Sequence, residues 1–325
     1  MKLASLKSSD RDGALAVVDR NLSTCVRVPR IAPTMQQAIE SWRTVAPELE
    51  AVYHELNSGK IAGAEPFLSQ NAESPLPRAY QFLDGSVYLS HMQKARKARG
   101  AEMPANFETE PLMYQGLSDG FIGPLDDMLL PTDALGVDFE AEIAIVVDDV
   151  PIGTSVEDAA GHIKLVMLLN DYTLRTLTKI ELPKGFGFMQ AKPTSGFSPV
   201  AVTLDELPQW DGRKLNVRLI SSVNGRKIGA PHAGQDMYFT YPQLIAHAAR
   251  TRKLSAGTII GAGTVANKDE SAGSSCIAEL RANEELANGK ASTPFLKFGD
   301  RVRIEVLDNA GQTIFGAIDQ RLARA

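Results

Sequence analysis

The sequence predicts an α+β fold rich in β structure: a mixed β-sandwich or β-roll domain preceded by a small α/β domain. Strand-like segments dominate beyond residue 80, and they do not alternate one for one with helices as a doubly wound sheet requires. Helical periodicity is concentrated between residues 33 and 57. A chain of 325 residues, 44% apolar and 22% charged, is long and apolar enough to bury one large core or a large and a small one.

Residues 1 to 30 read as β, with an apolar run at 14–18 after the turn Asp10-Arg11-Asp12-Gly13 and a weaker alternation at 24–28. Pro33-Thr34 opens a helix on which Met35, Ala38, Ile39 and Trp42 recur at helical spacing. A second helix is expected over 46–56, stopped by Asn57-Ser58-Gly59. Residues 66–77 carry Pro, Ser, Asn and Gln and read as a linker, dividing the chain into 1–75 and 76–325. Residues 137–147 form the best strand. Residues 156–180 read as a helix on the spacing of Val156, His162, Leu165 and Leu169. Strands are expected at 197–204, 215–221, 258–260 and 301–307, with a hairpin at Asn224-Gly225 and a helix over 241–250.

Composition excludes several classes. With 34 basic and 39 acidic residues the net charge is −5, so a nucleic-acid partner is not expected. The basic run 94–99 reads either as a solvated helix face or as an attractor for an anion near a cleft. Two cysteines, Cys25 and Cys276, form no CxxC and no disulfide framework, as suits a reducing compartment. No apolar stretch nears the roughly 20 residues of a membrane helix, and the first residues lack a signal-peptide core. A cytoplasmic protein without a membrane partner is expected. Gly261-Ala262-Gly263 follows a strand but lacks the third glycine of a dinucleotide loop, and no Walker A sequence occurs.

The chemistry-bearing residues are scattered. On the strand at 137–147, Glu140 and Glu142 point to one face with Asp138 in phase. Adjacent carboxylates on an apolar strand call for a divalent cation, or else for an edge strand whose acidic face meets water. Asn170-Asp171 interrupts an apolar run, which reads as a site carboxylate or as a cap and an Asp171–Arg175 pair. Lys192 follows the glycine-rich 185–187 and reads as an anion binder or as plain surface. His91 is one of five histidines, each structural or catalytic by its type alone.

Taken in order, the strings at 139–146, 169–175, 191–199, 234–239 and 257–265 closely resemble the fumarylacetoacetate hydrolase family, across roughly residues 80–320. The first 75 residues look like the small N-terminal domain of its longer members. The resemblance implies a fumarylacetoacetase-type catalytic domain and, commonly, a homodimer. It implies Mg²⁺, or Ca²⁺ or Mn²⁺, held by Asp84, Glu140, Glu142 and Asp171, since oxygen ligands suit hard cations. It implies that His91, oriented by Glu279, activates water, while Lys192 and Arg175 hold an oxyanion or a carboxylate. Tyr114, Thr264 and Ser86 are expected on the substrate side. The implied reaction is hydrolysis of a carbon–carbon bond in a small dioxo acid, fumarylacetoacetate or an acylpyruvate, within the catabolism of aromatic compounds such as tyrosine. Oxaloacetate decarboxylation, dioxo-acid hydration or isomerisation, and a catalytically silent metal-binding homologue stand as alternatives. The chain departs from fumarylacetoacetase where Thr178 and Leu182 stand near a substrate-binding Gln and Tyr. At position 100 a glycine replaces a substrate-binding Arg, and Lys94 or Arg96 is its nearest substitute.

Overall fold

The computed structural model describes residues 1–97, 102 and 106–325, with only the backbone of His91, Ala95 and Lys97. The chain opens with strands β1 (Lys2–Leu6), β2 (Ala14–Val18) and β3 (Thr24–Arg27), helices α1 (Met35–Glu40) and α2 (Trp42–Asn57), and strand β4 (Glu65–Pro66). Strand β5 (Phe82–Gly85) leads into α3 (Leu89–Lys97), followed by β6 (Met113–Gly116), β7 (Met128–Leu130), β8 (Val137–Asp138) and β9 (Ala141–Val147). After α4 (Val156–Ala159) come β10 (Ile163–Asp171), β11 (Thr173–Leu174), α5 (Arg175–Glu181), β12 (Ser195–Phe197) and β13 (Ala201–Val202). The remainder comprises β14 (Ile220–Val223), β15 (Arg226–Gly229), α6 (Tyr241–Ala248), β16 (Thr258–Gly261), α7 (Ile277–Asn288), β17 (Arg301–Glu305) and β18 (Ile318–Arg324).

The predicted β-rich α+β class is the one observed. An 11-stranded sheet runs β4-β3-β2-β1-β13-β10-β9-β16-β5-β6, with β12 paired to β10, and a five-stranded sheet runs β15-β14-β17-β18-β7. Strands of the first 66 residues join the large sheet through β1, which pairs antiparallel with β13. Side-chain alternation gives the large sheet two apolar faces. Ile143, Ile145, Val166 and Leu168 face the five-stranded sheet, whose Val302, Ile304 and Ile318 share their cluster with Leu244 and Ile245 of α6. Ala144, Val146, Leu165, Met167 and Leu169 face the other way, into a core that includes α1 and α2 through Met35, Ile39, Leu49 and Tyr53.

The expected helix at 156–180 is a correction. Only residues 156–159 and 175–181 are α-helical, and the apolar run between them is β10, among the most buried strands of the sheet. A strand buried on both faces is a continuous apolar run, which satisfies helical spacing as readily as strand spacing. The acidic strand is likewise no edge: β9 lies between β10 and β16 with all seven residues buried. The turn signals held up. Asn224 (φ 52°) and Gly225 (φ 77°) join β14 to β15 with both turn residues left-handed. The expected linker is packed against the sheet, with Ser74 and Leu76 buried and Glu73 N–H donating to Ser5 O.

Candidate functional site

The site grows out of the large sheet at one end of its second face. Phe82, Leu169 and Phe197 belong to the apolar core, and the residue two places away toward the same end of the sheet, after Phe82 and Leu169 but before Phe197 on the antiparallel β12, points the same way. Those residues are Asp84 on β5, Asp171 on β10 and Ser195 on β12. Phe82, Phe121 and Phe197 pack edge to face beneath them, with centroids 4.9–6.3 Å apart. Neighbouring strands extend the row: Asp84 pairs with Tyr114 on one side and Gly261 on the other, and Asp171 pairs with Ser195.

Asp84 and Glu142 lie on strands separated by β16, and glycine lets them meet. A Cβ at Gly261 would stand 2.3 Å from Asp84 Oδ1. Past the strand, Gly263 (φ +84°) donates its N–H to Asp84 Oδ1 and Glu142 Oε2, both at 3.1 Å. Asp84, Glu142 and Asp171 each offer an oxygen, and the three lie within 4.8 Å of one another. Two oxygens on one cation at ~2.0–2.6 Å can stand at most about 4–5 Å apart, so this set fits a hard divalent ion. Glu142 Oε1 is buried without a hydrogen-bond partner, an orphan that a cation would satisfy.

Electrostatics points the same way. Burial, and then the charge of Asp171, push the Asp84 carboxyl well above the usual range; burial and Asp84 do the same to Glu142. Lys192 Nζ bridges Glu140 Oε2 and Asp171 Oδ2, each at 2.5 Å. Burial opposes its charge, but Asp171 and Glu140 outweigh burial and raise its pKa. Asp171 also accepts from Tyr114 Oη and Ser195 Oγ, which fixes its orientation. Five carboxylates, Asp84, Asp138, Glu140, Glu142 and Asp171, thus crowd together, and Lys192 and Arg175 form ion pairs with three of them, Asp138, Glu140 and Asp171.

Of the expected metal ligands, the structure brings Asp84, Glu142 and Asp171 together. Glu140 stands beside them, with Oε1 on Arg175 Nη2 at 2.7 Å and Oε2 on Lys192. Arg175 does not pair with Asp171 as the i,i+4 spacing allowed; it holds Asp138 and Glu140 instead. Asp138 turns to the start of α7, accepting from Ile277 and Ala278 N–H at 2.7 and 2.9 Å, and so anchors that helix to the site. Glu279, 2% exposed on α7, receives Lys94 of α3 at 3.3 Å. His91 lies on α3, and its side chain is outside the described residues. Ser86, Tyr114, Thr264, Thr178 and Leu182 all line one open cavity of about 1020 Å³ above the carboxylates. Sequence reasoning missed Ser195 and the Gly263 N–H. Strand alternation with Phe197 carried a signal for the first; a backbone donor carries none.

A β-rich α+β fold with an acidic cluster at the floor of an open cavity is the class these features define. The chain belongs to the fumarylacetoacetate hydrolase family: the Fumarylacetoacetate (FAA) hydrolase C-terminal family matches residues 81–323, and Fumarylacetoacetase N-terminal domain 2 matches residues 1–78. It is 26% identical over 239 residues to oxaloacetate tautomerase YisK of Bacillus subtilis, covering 73% of this chain and 69% of that one. Its fold is similar to that of a putative HpcE protein from Mycobacterium smegmatis (TM-score 0.71, 22% identity, 100% of both chains). It is also similar to maleylpyruvate hydrolase from Sphingobium sp. SYK-6 in complex with manganese (II) ion and pyruvate (TM-score 0.66, 18% identity, 100% of both chains).

Proposed function

We propose that this protein is a divalent-metal-dependent hydrolase that cleaves a carbon–carbon bond in a small dioxo acid. The observation that carries the reading is the convergence of Asp84, Glu142 and Asp171 within 4.8 Å at the floor of the cavity, beside Lys192. Asp84, Glu142 and Asp171 would hold the cation, which would supply Lewis-acid stabilisation of negative charge on substrate oxygens. Mg²⁺, Mn²⁺ and Ca²⁺ all suit such oxygens, and the fold neighbour that holds manganese and pyruvate supports the choice. Glu140 keeps Lys192 and Arg175 in place. Lys192, 9% exposed, faces the substrate side and steadies negative charge on it, with Thr264. Tyr114 and Ser86 orient the substrate. His91 takes the proton of the attacking water, with Glu279 orienting it from α7, which packs against α3.

A second reading uses the same floor for enolate chemistry alone: tautomerisation or decarboxylation, without activated water. The YisK relative favours it, as do two proton-bearing groups, Tyr114 Oη and Lys192 Nζ, on one oxygen of Asp171. The test is turnover of acylpyruvates, fumarylacetoacetate-like dioxo acids and oxaloacetate with Mg²⁺ or Mn²⁺. Hydrolysis predicts acid release lost by at least roughly 100-fold in His91→Ala and in Glu142→Ala. Tautomerisation or CO₂ release that survives His91→Ala selects the second reading, and no turnover in any assay leaves a silent metal-binding homologue. A domain boundary near residue 75, a homodimer and a place in aromatic-compound catabolism belong to the same proposal. Light scattering against the 35.1 kDa chain mass tests the dimer.

A further inference from the structure

We infer that Arg281 selects substrates carrying a second, remote carboxylate, so that the preferred ligand is a dicarboxylic oxo acid. The assignment rests on the reading of Asp84, Glu142 and Asp171 as the cation site that takes the oxo-acid end.

The cavity has a polarity. Its floor is acidic, but its wall is formed in part by one face of α7, on which Ala278, Arg281, Ala282 and Glu285 recur at helical spacing. The inner end of that face is tied to the floor. Asp138 accepts from Ala278 N–H, holds Arg175, and through it meets Glu140 and Lys192. Three residues along the helix from Ala278 is a rise of about 4.5 Å, so Arg281 sits roughly one turn along α7 from the end tied to the floor. The same cavity is lined by Asp84 and Glu142 and by this face, so a ligand seated by its oxo-acid group has Arg281 within the space open to its far end.

Arg281 is built to receive an anion. Its guanidinium lies over the Phe295 ring, 4.6 Å from the centroid, and Nη1 donates to the backbone carbonyl of Thr293. Thr293 is itself held: its hydroxyl and N–H both reach Glu284. The arginine is therefore fixed in position while most of its five N–H donors stay unused. Among the described residues it forms no ion pair; even Glu285, one turn further out on the same face, is not paired with it. The contrast with Arg175 and Lys192 is chemical, since those cations are already neutralised by Asp138, Glu140 and Asp171. Arg96 and Lys179 add further positive charge to the wall. A planar guanidinium held flat and unpaired at the side of a cavity matches a carboxylate in bidentate geometry.

The test is equilibrium binding by calorimetry to the Mg²⁺-loaded full chain, independent of turnover. The probes are 2-oxo dicarboxylates of five to seven carbons, each compared with the 2-oxo monocarboxylate of equal length. At the best length the wild type is expected to bind the dicarboxylate roughly 10- to 100-fold more tightly, the range of a hydrogen bond between charged groups. Arg281→Met abolishes that preference and leaves the monocarboxylates within about threefold, while Arg281→Lys keeps part of it. No preference at any length in the wild type overturns the inference. So does an equal loss for both probes in the variants, which would make Arg281 a brace between α7 and residues 291–295. Unchanged Mg²⁺ affinity in the variants checks that they fold. Dicarboxylate preference without carbon–carbon cleavage leaves this inference standing and sinks the hydrolase reading; cleavage without the preference does the reverse.

Discussion

Glu142 is 0% exposed, carries a carboxylate atom without a hydrogen bond, and sits among other acids. No such residue helps the metal-free fold, because burying a charge without a partner opposes folding. Its cost is a measurable mark of function. In Glu142→Gln the amide oxygen can keep the Gly263 N–H bond while the new NH₂ faces Asp84. The variant is expected to be more stable than wild type without metal, by on the order of 1 kcal/mol or about 2 °C in Tm. It is also expected to lose the rise in Tm that Mg²⁺ or Mn²⁺ gives the wild type. Thermal melts with and without metal check both signs, and a variant less stable in both conditions would make Glu142 a structural residue.

Strands and helices bring the side chains into register. Gly261 on β16 is the clearest case, because the strand passes between the two that carry Asp84 and Glu142. Gly261→Ala places a methyl group against Asp84 Oδ1 and a Leu169 methyl carbon. Metal affinity is expected to fall at least tenfold while the sheet still forms, read by calorimetry beside circular dichroism. On α7, Glu284 is held by the Thr293 hydroxyl and by the N–H groups of Thr293 and Ser292, which lower its pKa from the ordinary 4.5 to about 2. A lowered folded-state pKa stabilises the fold above the unfolded value and loses that effect as pH falls through the folded value. The stability gap between wild type and Glu284→Gln is therefore expected to be constant above about pH 5 and to close toward pH 2. Urea titrations across that range measure it, and a gap independent of pH would remove the ionised carboxylate from the explanation.

For the molecule as a whole, the proposed ion site draws its three carboxylates from three strands of the large sheet, β5, β9 and β10, so metal binding is expected to stabilise the entire cooperative unit. At a free metal concentration of 100 Kd the gain is about 2.7 kcal/mol. Denaturation midpoints that shift with metal while the slope stays constant would show it; a midpoint indifferent to metal at saturating concentration would remove the cation site.

The β-rich α+β class, the helices after residue 33, the Asn224-Gly225 hairpin and the ordered set of chemical strings were legible in the sequence, because turn chemistry and side-chain alternation are local. Glu142 and Asp171 could be singled out from their neighbours alone, as polar residues inside apolar runs. Tertiary structure decided what local pattern cannot. It made residues 163–171 a central strand, since burial on both faces erases the period that separates strand from helix. It separated Glu140 and Asp138 from the convergent triad, although all three acids share a phase, because Lys192 and the start of α7 come from distant parts of the chain. It also placed Arg281 on the cavity wall, where its meaning depends on a floor built by β5, β9 and β10. Alternation fixes the face a side chain takes, and only strand order and register fix which charges meet there.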